Sequence, residues 1–317
     1  MTFDIVINPA GGGGKAAQFW KSVEPEFEDV SYTVHYSSLD HGIREIVHEL
    51  TSRGQEVNLI VVGGDGSMNE AVNGIADFSM VKLGFLSCGS ANDLAKDVGT
   101  APTVHEQIAR IKQGTEVRRI DVGEVIMHDY AAAGDESGRT VPEEHRFRFN
   151  ISAGLGWDAE ICFRVEQSPW KEKLNRIHLG KLIYIAEAVR TIFGMHPVAC
   201  EVTAGELKQR FEQCVFCAVM NHRYEGGGFM FGPHARHDDG ILDLCVVNDV
   251  TVSSFFRMFP KAYKGTQFET RYAVELREPE FRFQTEKPVF VHTDGEVRGL
   301  SSDVTIHLLD EKLRLLF

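Results

Sequence analysis

The sequence predicts an α/β plus all-β protein: a three-layer α/β domain followed by a β-sandwich domain. Three observations predict it. Strand-like and helix-like periodicities alternate up to Val117, the pattern of a mostly parallel sheet with helices on both faces. Beyond Val117, short apolar runs follow one another between turn residues, the pattern of a sandwich. Three glycine-rich turns follow three of the early strand candidates, and in an open α/β sheet the strand C-termini form the ligand crevice.

Phe3 to Ile7 reads as a strand, and Phe19, Trp20, Val23 and Phe27 fall at helical spacing within Ala16 to Phe27. Val57 to Val62 is a buried strand, followed by a helix with Met68, Ala71, Val72 and Ile75 on one face. Val81 to Leu86 is a strand, a helix starts over Asn92 to Asp97, and Val104, Ile108 and Ile111 mark another helix. Strands are then expected at Val117 to Met127, Arg146 to Ser152, Cys200 to Thr203, Cys214 to Met220 and Ile241 to Val247. Phe281 to Thr285, Val289 to His292 and Val304 to Leu309 complete the set. Polar, acidic His128 to His145 reads as a mobile loop, and Gln167 to Phe193 as a helical insertion.

The chain has 317 residues, 43% hydrophobic and 25% charged, with a net charge of −13. This is the composition of a globular protein of two domains. The acidic balance argues against non-specific nucleic-acid binding and against broad attachment to an anionic membrane. The N-terminal segment reads as a strand rather than a signal peptide, and no apolar run reaches the ~20 residues of a spanning helix. A cytoplasmic location is therefore expected. Its six cysteines then read as free thiols, and the Cys214/Cys217 pair as core packing.

The first glycine turn is Asn8-Pro9-Ala10-Gly11-Gly12-Gly13-Gly14-Lys15. It is not a Walker A loop, because Ala16 stands where a Ser/Thr would bind Mg²⁺, and it lacks the third glycine of the dinucleotide fingerprint. The second is Gly63-Gly64-Asp65-Gly66-Ser67-Met68-Asn69-Glu70, and the third Gly89-Ser90-Ala91-Asn92-Asp93. Each alone can be a sharp turn with a capping side chain. Jointly they offer backbone N–H groups, helix N-termini, hydroxyls and a carboxylate at consecutive strand ends, which suits a polyphosphate.

These three segments together resemble the diacylglycerol kinase catalytic family, which includes bacterial lipid kinases and the sphingosine and ceramide kinases. The family usually reads GGDGT and GTAND; here Ser67 and Ser90 replace the threonines and keep the hydroxyl. The second half resembles it too, through Gly226-Gly227-Gly228, the run His234 to Leu244, and Asp294-Gly295-Glu296 after an apolar strand.

The resemblance implies phosphoryl transfer from ATP, as co-substrate, to the hydroxyl of diacylglycerol or a related lipid, with Mg²⁺. It implies a first domain over residues 1–122, a lipid- and metal-binding sandwich over 123–303, and a return of 304–317 to the first domain. Phosphate contacts fall to Asn8, Pro9, Ala10, Gly11, Gly12, Ser37, Gly63, Gly64, Asp65, Gly66, Ser67, Met68, Asn69 and Ser90. Asp65 would hold the catalytic Mg²⁺, and Glu296 would be the general base. A structural Mg²⁺ would take the Asp239 side chain and the carbonyls of Arg236 and Ile241, where the local sequence alone reads as a hairpin turn. The implied partner is a lipid at the inner face of the membrane, approached peripherally, and a homodimer is left open. Between Arg164 and Arg190 six cationic side chains face three anionic ones. This segment reads either as a membrane-surface helix or as a solvated one. A kinase of a soluble substrate such as NAD, and a non-catalytic nucleotide- or lipid-binding regulator, are the alternatives.

Overall fold

The computed structural model describes residues 1–316 except Ser90, 100–102, Glu116, Glu136 and 169–179. Its first sheet has the order β2-β1-β3-β4-β15-β5. The strands are β1 (Thr2–Ile7), β2 (Ser31–Tyr36), β3 (Val57–Gly63), β4 (Val81–Ser87), β5 (Val117–Ile120) and β15 (Leu313–Leu316). All neighbours are parallel except β15 and β5. β3 is near-continuously buried, as a parallel strand covered on both faces must be.

Two cores sandwich this sheet. On one face α3 (Ile43–Thr51), α4 (Asp65–Gly74) and α5 (Asp93–Val98) pack Ile46, Val47, Met68, Val72 and Leu94 onto Val61, Leu83 and Leu315. On the other, α2 (Ala16–Val23) and α6 (Val104–Gln113) set Trp20, Ile108 and Ile111 against Ile5, Ile60 and Leu86. Between β1 and β3 the strand order changes direction, so the crevice at their C-terminal ends opens at a topological switch point.

The second sheet runs β12-β11-β10-β8-β13-β14-β6-β7, with β9 paired to both β10 and β13. Its strands are β6 (Gly123–Met127), β7 (His145–Phe149), β8 (Ser152–Gly156), β9 (Val198–Ala204), β10 (Leu207–Met220), β11 (Leu242–Asn248), β12 (Ala273–Glu278), β13 (Glu280–Thr293) and β14 (Glu296–Leu308). The sandwich is thus one continuous sheet. β10 and β13 are long and carry register shifts at Cys214/Phe216 and Gln284/Val289. Bulges bend and twist a strand, which lets both halves enclose one core that includes Val125, Val202, Val219, Leu244, Phe283 and Ile306. The outer face of β10 and β11 is covered by α7 (Trp157–Glu166), α8 (Gly180–Thr191) and α9 (Val252–Lys264).

Several expectations change. The strand expected from Val117 to Met127 is two strands in different sheets, because Asp121 is drawn aside. Its N–H donates to the His237 carbonyl (2.6 Å), and its carboxylate accepts from Lys312 and the Gly240 N–H. The strand expected from Arg146 to Ser152 breaks where the N–H groups of Asn150 and Ile151 turn to Asp294. Phe281 to His292 is one bulged strand rather than two. The loop from His128 to His145 is pinned: Asp129 accepts from Thr140, Ser301 and Ser302, and Ala131 bridges to Leu300. Of the expected 167–193 helix, residues 169–179 lie outside the described residues, and α8 covers Gly180–Thr191. The segment 304–317 divides, Leu308 and earlier residues finishing β14 and Leu313–Leu316 entering the first sheet. Sequence reading missed β2, α3, α7, α9 and β12, whose patterns are short or amphipathic without a strong turn signal.

The two domains meet along α4. Arg148 of β7 donates to the carbonyls of Val72 (3.2 Å) and Ile75 (2.7 Å) at the C-terminus of that helix. Asn73 exchanges two hydrogen bonds with the Arg148 main chain, each 2.9 Å. Replacing Arg148 with Met should therefore lower the unfolding free energy by about 1–3 kcal/mol. Urea denaturation measures this, and an unchanged midpoint would remove Arg148 from the interface account.

Candidate active site

Four parallel strands end side by side, so their following residues share one edge: Asn8 after β1, Ser37 after β2, Gly64 after β3 and Cys88 after β4. The Asn8 side chain accepts from the Ala10 N–H (3.0 Å) and its carbonyl from the Gly11 N–H (2.9 Å), which folds Pro9, Ala10 and Gly11 into α1 (Gly11–Gly14, including Gly12). Ser37 N–H donates to the Ile7 carbonyl (2.9 Å), holding Ser37 beside that turn. The second and third glycine turns touch: a Cβ on Gly89 would lie 2.7 Å from the Gly64 Cα. Glycine is required here by close approach of two backbones. A Cβ on Gly63 would likewise meet the Ser67 hydroxyl. Ser67, Met68 and Asn69 are buried, Met68 serving as core on the first face. Ser90 lies outside the described residues.

Asp65 opens α4. Its Oδ2 accepts from the Asp93 N–H (3.1 Å), while its Oδ1 is buried and has no hydrogen-bond partner among the described residues. Burial, with the Asp93 and Asp294 carboxylates nearby, pushes its pKa up to about 6. An orphaned carboxylate oxygen among other carboxylates fits a divalent oxygen-seeking cation, which would satisfy it and offset the repulsion. Asp93 is itself fixed, accepting from Lys96 (2.8 Å) and from the Gly227 N–H of the second domain (2.8 Å).

Asp294 and Gly295 form the two-residue turn of the β13–β14 hairpin, with φ of 50° and 82°, as a type I′ turn requires. The Asp294 carboxylate then reaches both domains. Oδ1 accepts from the N–H groups of Ile151 (2.8 Å) and Ser152 (3.0 Å). Oδ2 accepts from the Asn150 N–H (2.9 Å) and the Asn69 side chain of α4 (2.8 Å). Arg298 completes the lock by donating to the Asn69 Oδ1 (2.5 Å) and to the Thr293 hydroxyl (2.7 Å). As a result the exposed Glu296 side chain lies over the first turn of α4. A Cβ on Gly66 would stand 3.0 Å from its Oε1.

Sequence reasoning missed the buried groups behind this turn. His292 Nε2 faces Asp158 (3.3 Å) and Glu225 (3.4 Å), and Gly154 leaves room for both the ring and Asp158. Burial opposes charge on this imidazole, but Asp158 and Glu225 outweigh it and lift its pKa to about 9. In the neutral ring the Gly295 N–H donates to Nδ1 (3.2 Å). Protonation turns Nδ1 into a donor, so that bond and the charged ring exclude one another, and the bond favours the neutral tautomer. Burial pushes Glu225 up to about 7. Asp97 is a further hub: it accepts from His222 (2.9 Å) and Arg223 (2.6 Å), and despite burial these donors hold it far below the usual carboxylate range. A carboxylate on a helix or loop and a histidine far from it in sequence leave no local spacing signal.

The residues expected to hold a structural metal sit in the loop before β11. Asp239 Oδ1 accepts from the Ile241 N–H (3.1 Å) and Oδ2 from Arg277 (3.5 Å), while the Arg236 side chain turns to Asp238 (3.5 Å). An N–H and a guanidinium thus occupy the oxygens a cation would need, so the fit is poorer than at Asp65.

The description "Diacylglycerol kinase catalytic domain" matches residues 3–125, and "YegS C-terminal NAD kinase beta sandwich-like domain" matches residues 151–317. The chain belongs to the diacylglycerol kinase catalytic family. Family members of known name resemble it at low identity over nearly the whole length. A Bacillus subtilis (strain 168) protein named diacylglycerol kinase is 22% identical over 93% of this chain and 90% of its own. Another from the same organism, provisionally named lipid kinase YtlR, is 24% identical over 93% of both. A crystal structure of a diacylglycerol kinase from Bacillus anthracis superposes with a TM-score of 0.68 at 20% identity, covering 100% of this chain and 96% of that one. An NAD kinase from Archaeoglobus fulgidus in complex with ATP shares the fold more loosely, with a TM-score of 0.50 at 10% identity, covering 100% of this chain and 94% of that one.

In this family member the Asp294 clamp should be sensitive to isosteric change. Asp294→Asn places an NH₂ group against N–H donors where an oxygen now accepts. Loss of about 2–5 kcal/mol of stability is expected, since donors are left unsatisfied in the interface. Thermal and urea unfolding read this, and a variant as stable as the parent would show that the carboxylate is dispensable.

Proposed function

We propose that the protein is a lipid kinase that transfers the γ-phosphate of ATP to the hydroxyl of diacylglycerol or a related lipid, in the cleft between the two domains. The observation that carries this reading is the seating of Glu296 over the α4 first turn, beside Asp65 with its orphan buried oxygen. Phosphoryl transfer depends mainly on positioning and on neutralising phosphate charge. The α4 N-terminus and the turns at Asn8–Gly12 and Gly63–Gly66 supply N–H groups and a favourable dipole to the phosphates. Ser37, Ser67 and Ser90 are the side chains assigned to the same ligand, whereas the Asn69 side chain, also expected there, is taken up by Asp294 and Arg298. Asp65 is the residue assigned to hold Mg²⁺, which when bound neutralises charge on the phosphates. Glu296, exposed and acceptor-only when ionised, takes the proton of the incoming hydroxyl. The structural Mg²⁺ assigned to Asp239, Arg236 and Ile241 is kept as a secondary proposal.

The acceptor is assigned to a membrane surface. Around α8 the structure exposes Val189, Arg190 and, just beyond, Phe193, an apolar and cationic pairing that suits the interface of a bilayer. No helix among the described residues is long and apolar enough to cross a membrane.

Incubating the protein with Mg²⁺, γ-labelled ATP and vesicles carrying diacylglycerol, phosphatidylglycerol, sphingosine or undecaprenol tests the reading, with soluble NAD as a parallel acceptor. Label is expected in one lipid and not in NAD. Label in NAD alone would transfer the protein to soluble-substrate chemistry. Glu296→Gln should lower turnover by about 10²-fold or more while ATP still binds, and unchanged turnover would remove Glu296 as base.

Asp65 gives a pH signature. Its pKa is higher folded than the ordinary 3.8, so the native state holds the proton more tightly and stability declines as pH rises from about 3.8 to about 6. Without Mg²⁺, Asp65→Asn should flatten that slope and be about 1–3 kcal/mol more stable at pH 7, yet lose turnover. Stability curves parallel to the parent's across this window would contradict the assignment.

A further inference from the structure

We propose that Cys200, Cys214 and Cys217 form a three-coordinate site for a soft monovalent cation, Cu(I), inside the core of the second domain. The proposal is independent of the kinase reading. Cys200 lies on β9 and the other two on β10, and all three are buried, at 2%, 3% and 1% exposure. Their sulfurs all lie within 4.8 Å of one another, with Cys214 and Cys217 at 3.6 Å. Three metal–sulfur bonds of about 2.3 Å in a trigonal plane place their sulfurs about 4.0 Å apart, within the span of this triangle.

Local irregularity assembles the triangle. On a regular strand, side chains three apart point to opposite faces. Here the register shifts between Phe211 and Cys214 and between Cys214 and Phe216. Cys214 and Cys217 then face the same core as Cys200. Cys214 and Cys217 are both free, their sulfurs 3.6 Å apart, against about 2 Å in a disulfide. A metal spans the wider gap.

Donor number and softness select the ion. No fourth His, Cys, Asp or Glu joins the cluster among the described residues. Structural zinc is almost always four-coordinate, whereas thiolates with few partners suit Cu(I). Cys214 and Cys217 are held above their ordinary value. Each thiol that ionises on coordination exchanges an S–H bond for an S–Cu bond and releases its proton to solvent.

The test is anaerobic titration of the reduced full-length protein with Cu(I) against bicinchoninate, followed by X-ray absorption at the copper edge. One equivalent is expected to be withdrawn, bound by sulfur alone, with a rise in Tm. Cys200→Ala and Cys217→Ala should each weaken binding by about 10-fold or more, while Cys162→Ala keeps it. Failure to compete with bicinchoninate, nitrogen or oxygen ligands at the wild-type copper, or binding unchanged in the variants would overturn the site. Loss of two mass units without copper uptake would show a disulfide in its place and overturn it equally.

Discussion

Among the described residues five N–H donors from two domains converge on the Asp294 carboxylate: the main-chain groups of Asn150, Ile151 and Ser152 with the Asn150 amide on one side, and the Asn69 amide on the other. Charge-assisted bonds of this kind contribute about 1.5–3 kcal/mol each. Their geometric consequence is larger than their energy. Asp294 sits at the tip of the β13–β14 hairpin, so fixing its carboxylate fixes the direction in which Glu296 leaves the turn. Asn69 sits one turn inside α4, so the same carboxylate fixes the helix whose N-terminus faces the cleft. Arg298 and Arg148 add bonds along the same seam. The Asp294 carboxylate is thus the centre of the seam that holds the two walls of the cleft in register, with both arginines flanking it.

Electrostatics in the cleft follow from that closeness. Asp65, Asp93 and Asp294 lie near enough to raise the Asp65 pKa beyond the effect of burial. Each carboxylate is tied by N–H donors except at the Asp65 Oδ1. Negative charge is thus accumulated and locally unbalanced at one oxygen. The second layer, His292 with Asp158 and Glu225, keeps a titratable group beneath the turn, and its Nδ1 bond to the Gly295 amide couples its protonation to the turn's shape.

What the sequence made legible is what depends on side-chain type at close spacing. The alternation of β1, β3, β4 and their helices followed from apolar periodicity, and the glycine turns marked the strand ends because only glycine allows Gly64 and Gly89 to approach so closely. Asp65 and Glu296 stood out as carboxylates in such turns. The clamp was not legible, because Asn150, Ile151 and Ser152 act through main-chain N–H groups that any residue but proline supplies. The His292 cluster was hidden because its three members come from a strand, a helix and a loop far apart in sequence. Strand breaks at Asp121 and Asn150 escaped pattern reading for a related reason: tertiary partners, not local propensity, pull them out of the ladder.

The central claim is that Asp294 and Asn69 act as one joint between the domains. A double-mutant cycle combining Asn69→Ala with Asp294→Ala, read on the unfolding free energy, measures it most directly. The account expects a coupling of about 1–3 kcal/mol between the two sites. Effects that add within about 0.5 kcal/mol would contradict it, and the two walls of the cleft would then be held by something else.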